Sequence, residues 1–356
     1  MKMFHRFVRL PVMVLMAFIT VGCSLELNPS NVPTEVVGLP SDTGSISFDD
    51  MVYDSKLAKV LIPANETGNL MLVDPDTREV QAISGFTPRK NANGQLEGIT
   101  SITSGRDLLF ATNRGALSLS VINPSSGTII TSTAVMATPD YVRYVSATGE
   151  LWVTEEAMGQ IEVFSLPEGK NTAPVHSGVI RVPDGPESLV IDKLHGLAYT
   201  NRPGKGLTEV INVFTHNIVK DWGNGCSQAR GLALDEKNGF LFVACKEGKI
   251  VMLDTKNEGA QITSQTFGGD LDFISYNPSL QHLYLPSSAS AILVIFKVAE
   301  TANGSVIRTT LTQLGTADTA LGAGCVISDD HNNIWVCDPN HGRLILIRDI
   351  FSGSGY

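Results

Sequence analysis

The 356-residue sequence predicts an all-β fold, a seven-bladed β-propeller with four-stranded blades that is closed by a strand near the amino terminus. Three observations lead to this prediction. One pattern of short apolar runs recurs seven times, successive copies start about 42 to 52 residues apart, which is a typical blade length, and the composition suits short strands joined by tight turns. No helical period of 3.6 residues competes over a comparable length.

The composition is that of a packed globular protein. Hydrophobic residues make up 43% of the chain and charged residues 17%, and glycine occurs 33 times. The frequent valine, isoleucine, leucine and threonine favour strands, whereas glycine favours turns. The formal net charge is −10, so the chain offers few of the cations whose contacts with phosphates release counterions. Generic nucleic-acid binding is therefore disfavoured.

Each copy of the repeat begins with a candidate for the innermost strand of a blade. These candidates lie at residues 47–54, 96–103, 140–146, 186–192, 229–235, 271–277 and 324–330. A polar turn, a second apolar run, a turn that contains glycine in most copies, and a third apolar run follow each of them. One blade cannot bury its apolar faces alone, whereas packing against its neighbours in a ring does so. The seven copies therefore predict one domain over residues 34–351, followed by a tail at 352–356.

The two ends of this domain predict how the ring closes. The seventh copy supplies three strands and stops near Ile350, and TEVVGL at 34–39 is a strand candidate that belongs to no copy. Pairing this segment beside RLILIRD at 343–349 would remove two exposed strand edges. We therefore expect the amino-terminal strand to complete the seventh blade.

The first 22 residues have the layout of a secretory signal peptide. The apolar stretch from Leu10 to Ile19 is shorter than the about 20 residues of a transmembrane helix; a retained membrane anchor is the alternative. Thr20 to Cys23 resemble the lipobox of bacterial lipoproteins. The resemblance implies a lipid on Cys23 and a tether over 23–33, and Ser24 favours the outer membrane of the cell envelope.

The segment from 225 to 285 carries a more specific resemblance. It contains Gly-Cys, Gly-Leu-Ala-x-Asp, Leu-Phe-Val-x-Cys and Gly-Gly-x-x-Asp in order, and in this it resembles the YncE-like, YVTN-repeat β-propellers of bacteria. The similarity covers residues 34–350. Arg230 departs from the Pro or Thr of the family pattern, and the tetrapeptide YVTN is replaced by FATN and AYTN. The resemblance implies a seven-bladed propeller and indicates no particular activity.

Four cysteines remain when Cys23 is set aside, and an oxidising compartment makes their pairing the default. Three connectivities are possible. Cys325 and Cys337 are symmetric about a turn, and a hairpin places such positions opposite each other at about 4.5–5.5 Å between Cβ atoms. Cys226 and Cys245 are then the natural second pair. A metal or redox site is the alternative, although the sequence has no C-x-x-C motif.

A propeller brings the start of every innermost strand to one mouth of its central channel. The residues at this position, copy by copy, are Asp49, Glu97 or Gly98, Tyr141, Glu187, Arg230, Asp272 and Gly324. Carboxylates that are held close together raise one another's pKa or recruit a cation. In one interpretation the acids pair with Arg230 and backbone amides and only keep the channel wet. In the other the ring binds a ligand or a divalent cation such as Ca²⁺, with Glu97, Glu187 and Asp272 as candidate metal ligands.

Two functions follow as hypotheses, because the H-E-x-x-H, Walker and G-x-S-x-G motifs are all absent. The first is a monomeric, lipid-anchored, non-enzymatic propeller that binds a protein, a glycan or a small molecule at the channel mouth, and no nucleic acid. The second is a metal-dependent hydrolase of lactones or esters. Glu187 is similar to the glutamate of gluconolactonase-type propellers, but Tyr141 and Arg230 stand where asparagine ligands would be expected.

Overall fold

The computed structural model describes residues 32–41, 44–169, 172–303 and 306–353. These residues form seven four-stranded antiparallel sheets and one two-stranded hairpin. The signal peptide, Cys23 and the tether up to residue 31 lie outside the described residues. Among the residues described, none of the helices has the length and apolar character to cross a membrane. The predicted all-β propeller with seven four-stranded blades is therefore confirmed.

Each blade is built from strands that follow one another along the chain. From the innermost to the outermost strand, blade one contains Val52–Asp54, Lys59–Ala64, Asn69–Val73 and Val80–Ser84; blade two contains Ile99–Gly105, Leu108–Asn113, Ser118–Asn123 and Thr128–Ala134; blade three contains Val142–Val145, Glu150–Glu155, Gln160–Ser165 and Val175–Arg181; blade four contains Glu187–Asp192, Leu197–Arg202, Leu207–Asn212 and Asn217–Gly223. Blade five contains Ala229–Asp235, Phe240–Cys245, Lys249–Asp254 and Ala260–Thr266; blade six contains Ser275–Asn277, His282–Ser287, Ile292–Asn303 and Val306–Asp318; blade seven contains Val326–Ser328, Asn333–Asp338, Arg343–Arg348 and Thr34–Gly38. Short 3-10 helices occupy Glu156–Met158, Pro339–His341 and Ile350–Gly353.

The innermost strands form a closed ring around a central channel. Each contacts the innermost strand of the next blade, and that of blade seven contacts those of blades six and one. We call the end of the channel where these strands begin the upper mouth and the end where they finish the lower mouth. The turns between second and third strands lie on the upper face, because antiparallel neighbours alternate in direction.

The amino-terminal strand closes the ring as predicted. Thr34–Gly38 pairs antiparallel with Arg343–Arg348, with Thr34 opposite Ile347 and Gly38 opposite Arg343. Val37 is only 4% exposed and packs in the core between blades seven and one. The first and last parts of the domain are therefore held together by a backbone ladder and by apolar packing.

Polar residues at strand ends explain why the turns are so short. The carboxylate of Asp192 accepts the backbone N–H of His195 at 3.1 Å, and Asp235 accepts that of Asn238 at 3.0 Å. Such side chains satisfy turn amides that the sheet leaves unpaired. On the upper face, Gly248 has φ +88°, and a Cβ there would lie 2.4 Å from the carbonyl oxygen of Gly268. The glycine of this turn is thus required both by the backbone and by the close approach.

The blades pack through apolar side chains and a few buried polar groups. Trp152 and Trp335, both in second strands, are completely buried. Asp349, just after the last strand, accepts a hydrogen bond from the hydroxyl of Tyr284 at 2.7 Å and lies 2.7 Å from Nδ1 of His282. Burial alone would raise the pKa of Asp349, but the hydrogen bonds from His282 and Tyr284 outweigh burial and lower it. This carboxylate joins blades six and seven.

Both predicted disulfides are present. The Cys226–Cys245 bond measures 2.02 Å between sulfurs, and the Cys325–Cys337 bond measures 2.03 Å. The second bridge joins the segment before the innermost strand of blade seven to its second strand, and the first does the same in blade five. Cys226 and Cys245 also lie near Glu247 in an arrangement that resembles a metal site, but disulfide sulfurs are not thiolates and the bridge excludes that alternative here.

Two features depart from the repeat. Arg89–Lys90 pairs with Leu96–Glu97 in a separate hairpin on the way into blade two. In blade six the two outer strands have 12 and 13 residues, about twice the usual blade strand length of 6. The sequence pattern predicted neither feature: it assigned Leu96 and Glu97 to the innermost strand of blade two, and it did not indicate how far the outer strands of blade six extend.

Candidate functional site

Irregular strand pairing aims the side chains of blades four and five into the upper mouth. The ladder of blade four shifts register between Glu187 and Val190, and a similar shift in blade five covers Arg230. Ser188 within the first bulge is buried and has φ +61°, which is unusual for a residue with a side chain. Its hydroxyl accepts the backbone N–H of Leu232 at 3.2 Å. A bulge changes the direction of the side chains next to it. The hydrogen bond from Leu232 to Ser188 also links the two bulges across the boundary between blades four and five.

Glu187 and Arg230 form the first ion pair of the mouth. Nη1 of Arg230 lies 3.0 Å from Oε2 of Glu187, whose side chain is 6% exposed. Burial raises the pKa of Glu187 well above its usual range, and the charge of Asp140 adds to this while Arg230 opposes it. Asn201 donates to the carbonyl of Arg230 at 2.5 Å. The pair is thus a fixed part of the channel wall.

Arg114 ties two further carboxylates together. It follows the second strand of blade two and pairs with Asp140 and, at 3.3 Å, with Asp49. Its Nε donates to the carbonyl of Pro139 at 3.3 Å. Burial raises the pKa of Asp49 well above its usual range, and although Arg114 opposes this, Asp140 and Asp272 reinforce it. The guanidinium of Arg114 therefore forms ion pairs with two carboxylates from separate blades.

Asp272 differs from the other acids of the mouth. Burial raises its pKa, and Arg230 opposes the shift from a distance. No hydrogen bond or ion pair to its carboxylate is found among the described residues. Gly324 stands next to it, and a Cβ at Gly324 would lie 4.0 Å from Oδ2 of Asp272. Such a Cβ would also lie 3.6 Å from the Cβ of Asp272, so the glycine leaves room for only about one more carbon atom beside this residue.

A second layer of charge lies deeper in the channel. Asp50 binds Arg143 in a bidentate pair, with Oδ2–Nη1 at 2.5 Å and Oδ1–Nη2 at 3.0 Å. The guanidinium of Arg143 stacks 5.2 Å from the ring centre of Tyr141. The rings of Tyr141 and Phe273 are 6.0 Å apart, and Phe273 packs against the apolar clusters of several blades. These two aromatic rings fill the middle of the channel beneath the charged mouth.

The rings of Tyr141 and Phe273 separate the upper mouth from two cavities lower in the channel. Below it lies a cavity of about 260 Å³ lined largely by apolar side chains, among them Ile102, Leu232 and Ile327. A larger cavity of about 950 Å³ opens at the lower mouth, and besides Val52 and Val190 its wall contains the charged residues Asp54, Lys56, Arg106, Asp107, Lys193 and Glu236. Charged groups therefore line both mouths of the channel, and the aromatic pair lies between them.

The structure brings together five of the residues that the sequence predicted for the mouth. Interactions connect Asp49, Tyr141, Glu187, Arg230 and Asp272 in one cluster around the axis. Their convergence follows from the ring itself, because each stands at or just before the start of an innermost strand.

Glu97 stands apart from the innermost strands, although its charge still raises the pKa of Arg114. It pairs with Arg89 in the separate hairpin, and its carboxylate accepts a hydrogen bond from Asn91 at 2.9 Å. The innermost strand of blade two starts two residues later, at Ile99, and the backbone N–H of buried Gly98 donates to Asn65. The ligating atoms of the three predicted metal ligands do not all lie within 4.8 Å of one another.

Four charged residues of the site were missed by sequence reasoning: Asp50, Arg114, Asp140 and Arg143. Arg114 lies in a turn between second and third strands, on the same face as the strand starts. Reading those turns together with the strand starts would have found it. Arg143 is the second residue of its strand, and only its bidentate contact with Asp50 reveals its role.

Comparison with known proteins supports the fold alone. No protein-family model matches the chain, and no curated protein matches it. The chain is similar to a chain of the mitotic checkpoint complex (TM-score 0.66, 12% identity, covering 96% of this chain and 99% of that one). It is also similar to the Cps50 (Swd1) β-propeller domain of Myceliophteria thermophila (TM-score 0.67, 13% identity, 88% and 99%) and to Kuenenia stuttgartiensis hydrazine synthase (TM-score 0.68, 14% identity, 88% and 97%).

Proposed function

We propose that this protein is an exported, lipid-anchored propeller of the YncE-like type that binds a ligand at its upper mouth without catalysing a reaction. One observation carries the proposal: charged side chains from six separate blades converge on a single mouth, and one of them, Asp272, has no direct partner among the described residues. A channel wall that served structure alone would have its buried polar groups paired.

The contacts of Glu187 favour binding over metal-dependent hydrolysis. A hydrolase of the gluconolactonase type would use this carboxylate as a metal ligand, but here Arg230 lies 3.0 Å from it. A guanidinium cannot be deprotonated in a protein, so its charge opposes a metal cation at the same carboxylate. Tyr141 and Arg230 also supply none of the neutral carbonyl oxygens that Ca²⁺ prefers.

The position of the amino-terminal strand supports an anchored molecule whose upper mouth faces away from the membrane. Thr34 lies opposite Ile347, at the lower face, and the strand runs upward to Gly38. About 11 residues separate a lipid on Cys23 from Thr34, and such a segment reaches at most about 40 Å. The anchor would therefore hold the lower face toward the bilayer and leave the upper mouth accessible to ligands.

Capture experiments with the full chain test this proposal. The lipidated protein is purified from membranes with and without a cross-linker, as wild type, as Asp272→Asn and as the matched control Asp270→Asn. Asp270 lies two residues earlier and is exposed, and its carboxylate accepts a hydrogen bond from the hydroxyl of Ser288 at 2.8 Å. We expect a bound small molecule, glycan or protein to be lost in Asp272→Asn and kept in the control. Equal recovery from all three proteins would contradict a site at the upper mouth.

A further inference from the structure

The hydroxyl of Tyr141 is the least explained polar group of the channel. The residue is 3% exposed, and in the part of the chain that the structure describes no group forms a hydrogen bond with its hydroxyl. Burial raises its pKa, and the negative charges of Glu187, Asp140 and Asp272 raise it further. The hydroxyl therefore lies close to these acids without bonding to any of them. The hydroxyl oxygen is also not among the fully buried side-chain atoms that lack a partner in the described part of the chain, so it borders open space in the channel.

The charge around this hydroxyl is negative. Counted as ionised, the acids Asp49, Asp50, Asp140, Glu187 and Asp272 outnumber the guanidinium groups Arg114, Arg143 and Arg230 by two. Burial raises the pKa of Asp49 and of Glu187, and protonation of either carboxyl reduces this excess. Because an anion entering the mouth would meet this excess, the charge favours a cation. A phenol oxygen accepts a hydrogen bond from N–H, and an ammonium group has three such donors.

The fixed arginines decide between a metal ion and an organic cation. Four of the five acids already lie against a guanidinium, so few oxygens remain for Ca²⁺, which takes 6 to 8 of them. An organic cation needs fewer acceptors and also binds to aromatic faces. The rings of Tyr141 and Phe273 lie directly beneath the mouth, and Gly324 leaves room beside Asp272.

We propose that the upper mouth binds an organic ammonium or guanidinium group, which donates hydrogen bonds to the hydroxyl of Tyr141 and to Asp272 above the ring of Phe273. This inference rests on the proposed function and names its ligand class. Tyr141 acts as the acceptor that selects an N–H donor, and Asp272 supplies the charge that the arginines leave uncompensated.

Calorimetric titration of the full chain in mild detergent tests this inference. The probes are butylammonium, butylguanidinium and spermidine, with 1-butanol as the neutral analogue, acetate as the anion and Ca²⁺ as the metal. We expect the three organic cations to bind and 1-butanol, acetate and Ca²⁺ to give no heat. Tyr141→Phe should weaken binding about 10-fold to 100-fold, the loss expected for a hydrogen bond to a charged group.

Tyr144→Phe is the matched control, because Tyr144 lies on the strand that begins just after Tyr141, faces the lower cavity and stacks on Phe110. It should bind the cations like wild type. Tyr141→Phe should also leave the thermal midpoint unchanged, since the hydroxyl has no protein partner to lose. A lowered midpoint, or unchanged binding by Tyr141→Phe, would overturn the role of this hydroxyl.

The outcomes separate the ligand class from the proposed site. If a sugar, a peptide or an anion binds and Asp272→Asn abolishes it, the mouth is a binding site but the ammonium class is wrong. If Ca²⁺ alone binds, the organic-cation inference is equally wrong. If none of the probes binds and the capture experiment also gives the same result for all variants, both proposals fail together.

Discussion

The buried ion pair between Asp50 and Arg143 allows the sharpest test of how the channel is stabilised. Asp50→Asn keeps the size of the side chain but removes its charge, leaving Arg143 with the carbonyl of Val142 and a weakened contact at position 50. The Asp50 side chain is 6% exposed and that of Arg143 20%. Removing one partner of a buried pair costs about 3–5 kcal/mol, because the other charge stays buried.

The lower end of this range applies here. A fifth of the Arg143 side chain reaches solvent, and the new amide can still accept one hydrogen bond. We therefore expect Asp50→Asn to lower the free energy of unfolding by about 3 kcal/mol, measured by guanidinium titration followed by tryptophan fluorescence. Arg143→Met should be destabilising as well, since it leaves the Asp50 charge unpaired.

A double variant tests whether the loss of stability comes from the unpaired charge. With both charges gone, Asp50→Asn combined with Arg143→Met should recover most of the loss, because apolar replacement of a buried pair is often close to neutral. Glu258→Gln serves as control, since its pair with Lys220 is exposed and should contribute less than about 1 kcal/mol. A cost below about 1 kcal/mol for Asp50→Asn, or a double variant no more stable than the single ones, would refute the assignment.

Three further predictions concern the rest of the ring. Val37→Ala should cost about 2 kcal/mol by opening a cavity at the closure, whereas Val36→Ala, at a 49% exposed position, should change unfolding by less than about 0.5 kcal/mol; equal effects would contradict the closure. Replacing Cys325 and Cys337 by serine should cost about 3 kcal/mol in denaturant titrations. The pKa of Asp349 is lowered in the folded protein, so its carboxylate stabilises the fold above about pH 4 and loses this effect as the pH falls further. The loss of unfolding free energy caused by Asp349→Asn should therefore become smaller at acidic pH. A loss that does not change with pH would contradict this prediction.

The seven blades could be predicted from the sequence because the apolar pattern of a strand depends only on neighbouring residues. A short apolar run between two polar turns predicts a strand wherever it stands in the chain, and seven such groups can bury their faces only in a ring. The closing strand at 34–38 was predictable for the same reason, as an unpaired edge is unfavourable. The cysteine pairs followed from positions that a hairpin sets opposite each other.

The place of Glu97 in a separate hairpin, rather than on the innermost strand of blade two, has an equally local cause. The segment 89–97 folds back on itself around the turn at Asn91 to Gly94, so that Leu96 pairs with Lys90 rather than with blade two. Leu96 looks like the first apolar residue of a strand, yet it is 47% exposed. A single exposed leucine shifted the apparent start of the innermost strand and with it the residue assigned to the mouth.

The ion pairs could not be predicted, because they join residues that the sequence separates by irregular distances. Arg143 and Asp50 are 93 positions apart, and Arg114 and Asp140 are 26 apart. Which side chain enters the channel also depends on the bulges near Glu187, and a shift of one residue moves a side chain to the opposite face. The residues at the strand starts were thus predictable, whereas Asp50, Arg114, Asp140 and Arg143 and the pairs they form were not.

The upper face carries two classes of carboxylate, and the distinction matters for function. Glu66 accepts the backbone N–H of Ser47 at 2.9 Å, and Glu247 accepts that of Ser227 at 2.7 Å, so these acids cap the loops that lead into the blades. The carboxylates of Glu66 and Glu247 thus serve to stabilise these loops. Asp272 caps no amide and touches no arginine directly among the described residues. A count of acidic residues would treat all three alike, whereas their partners show which one retains the capacity to bind something else.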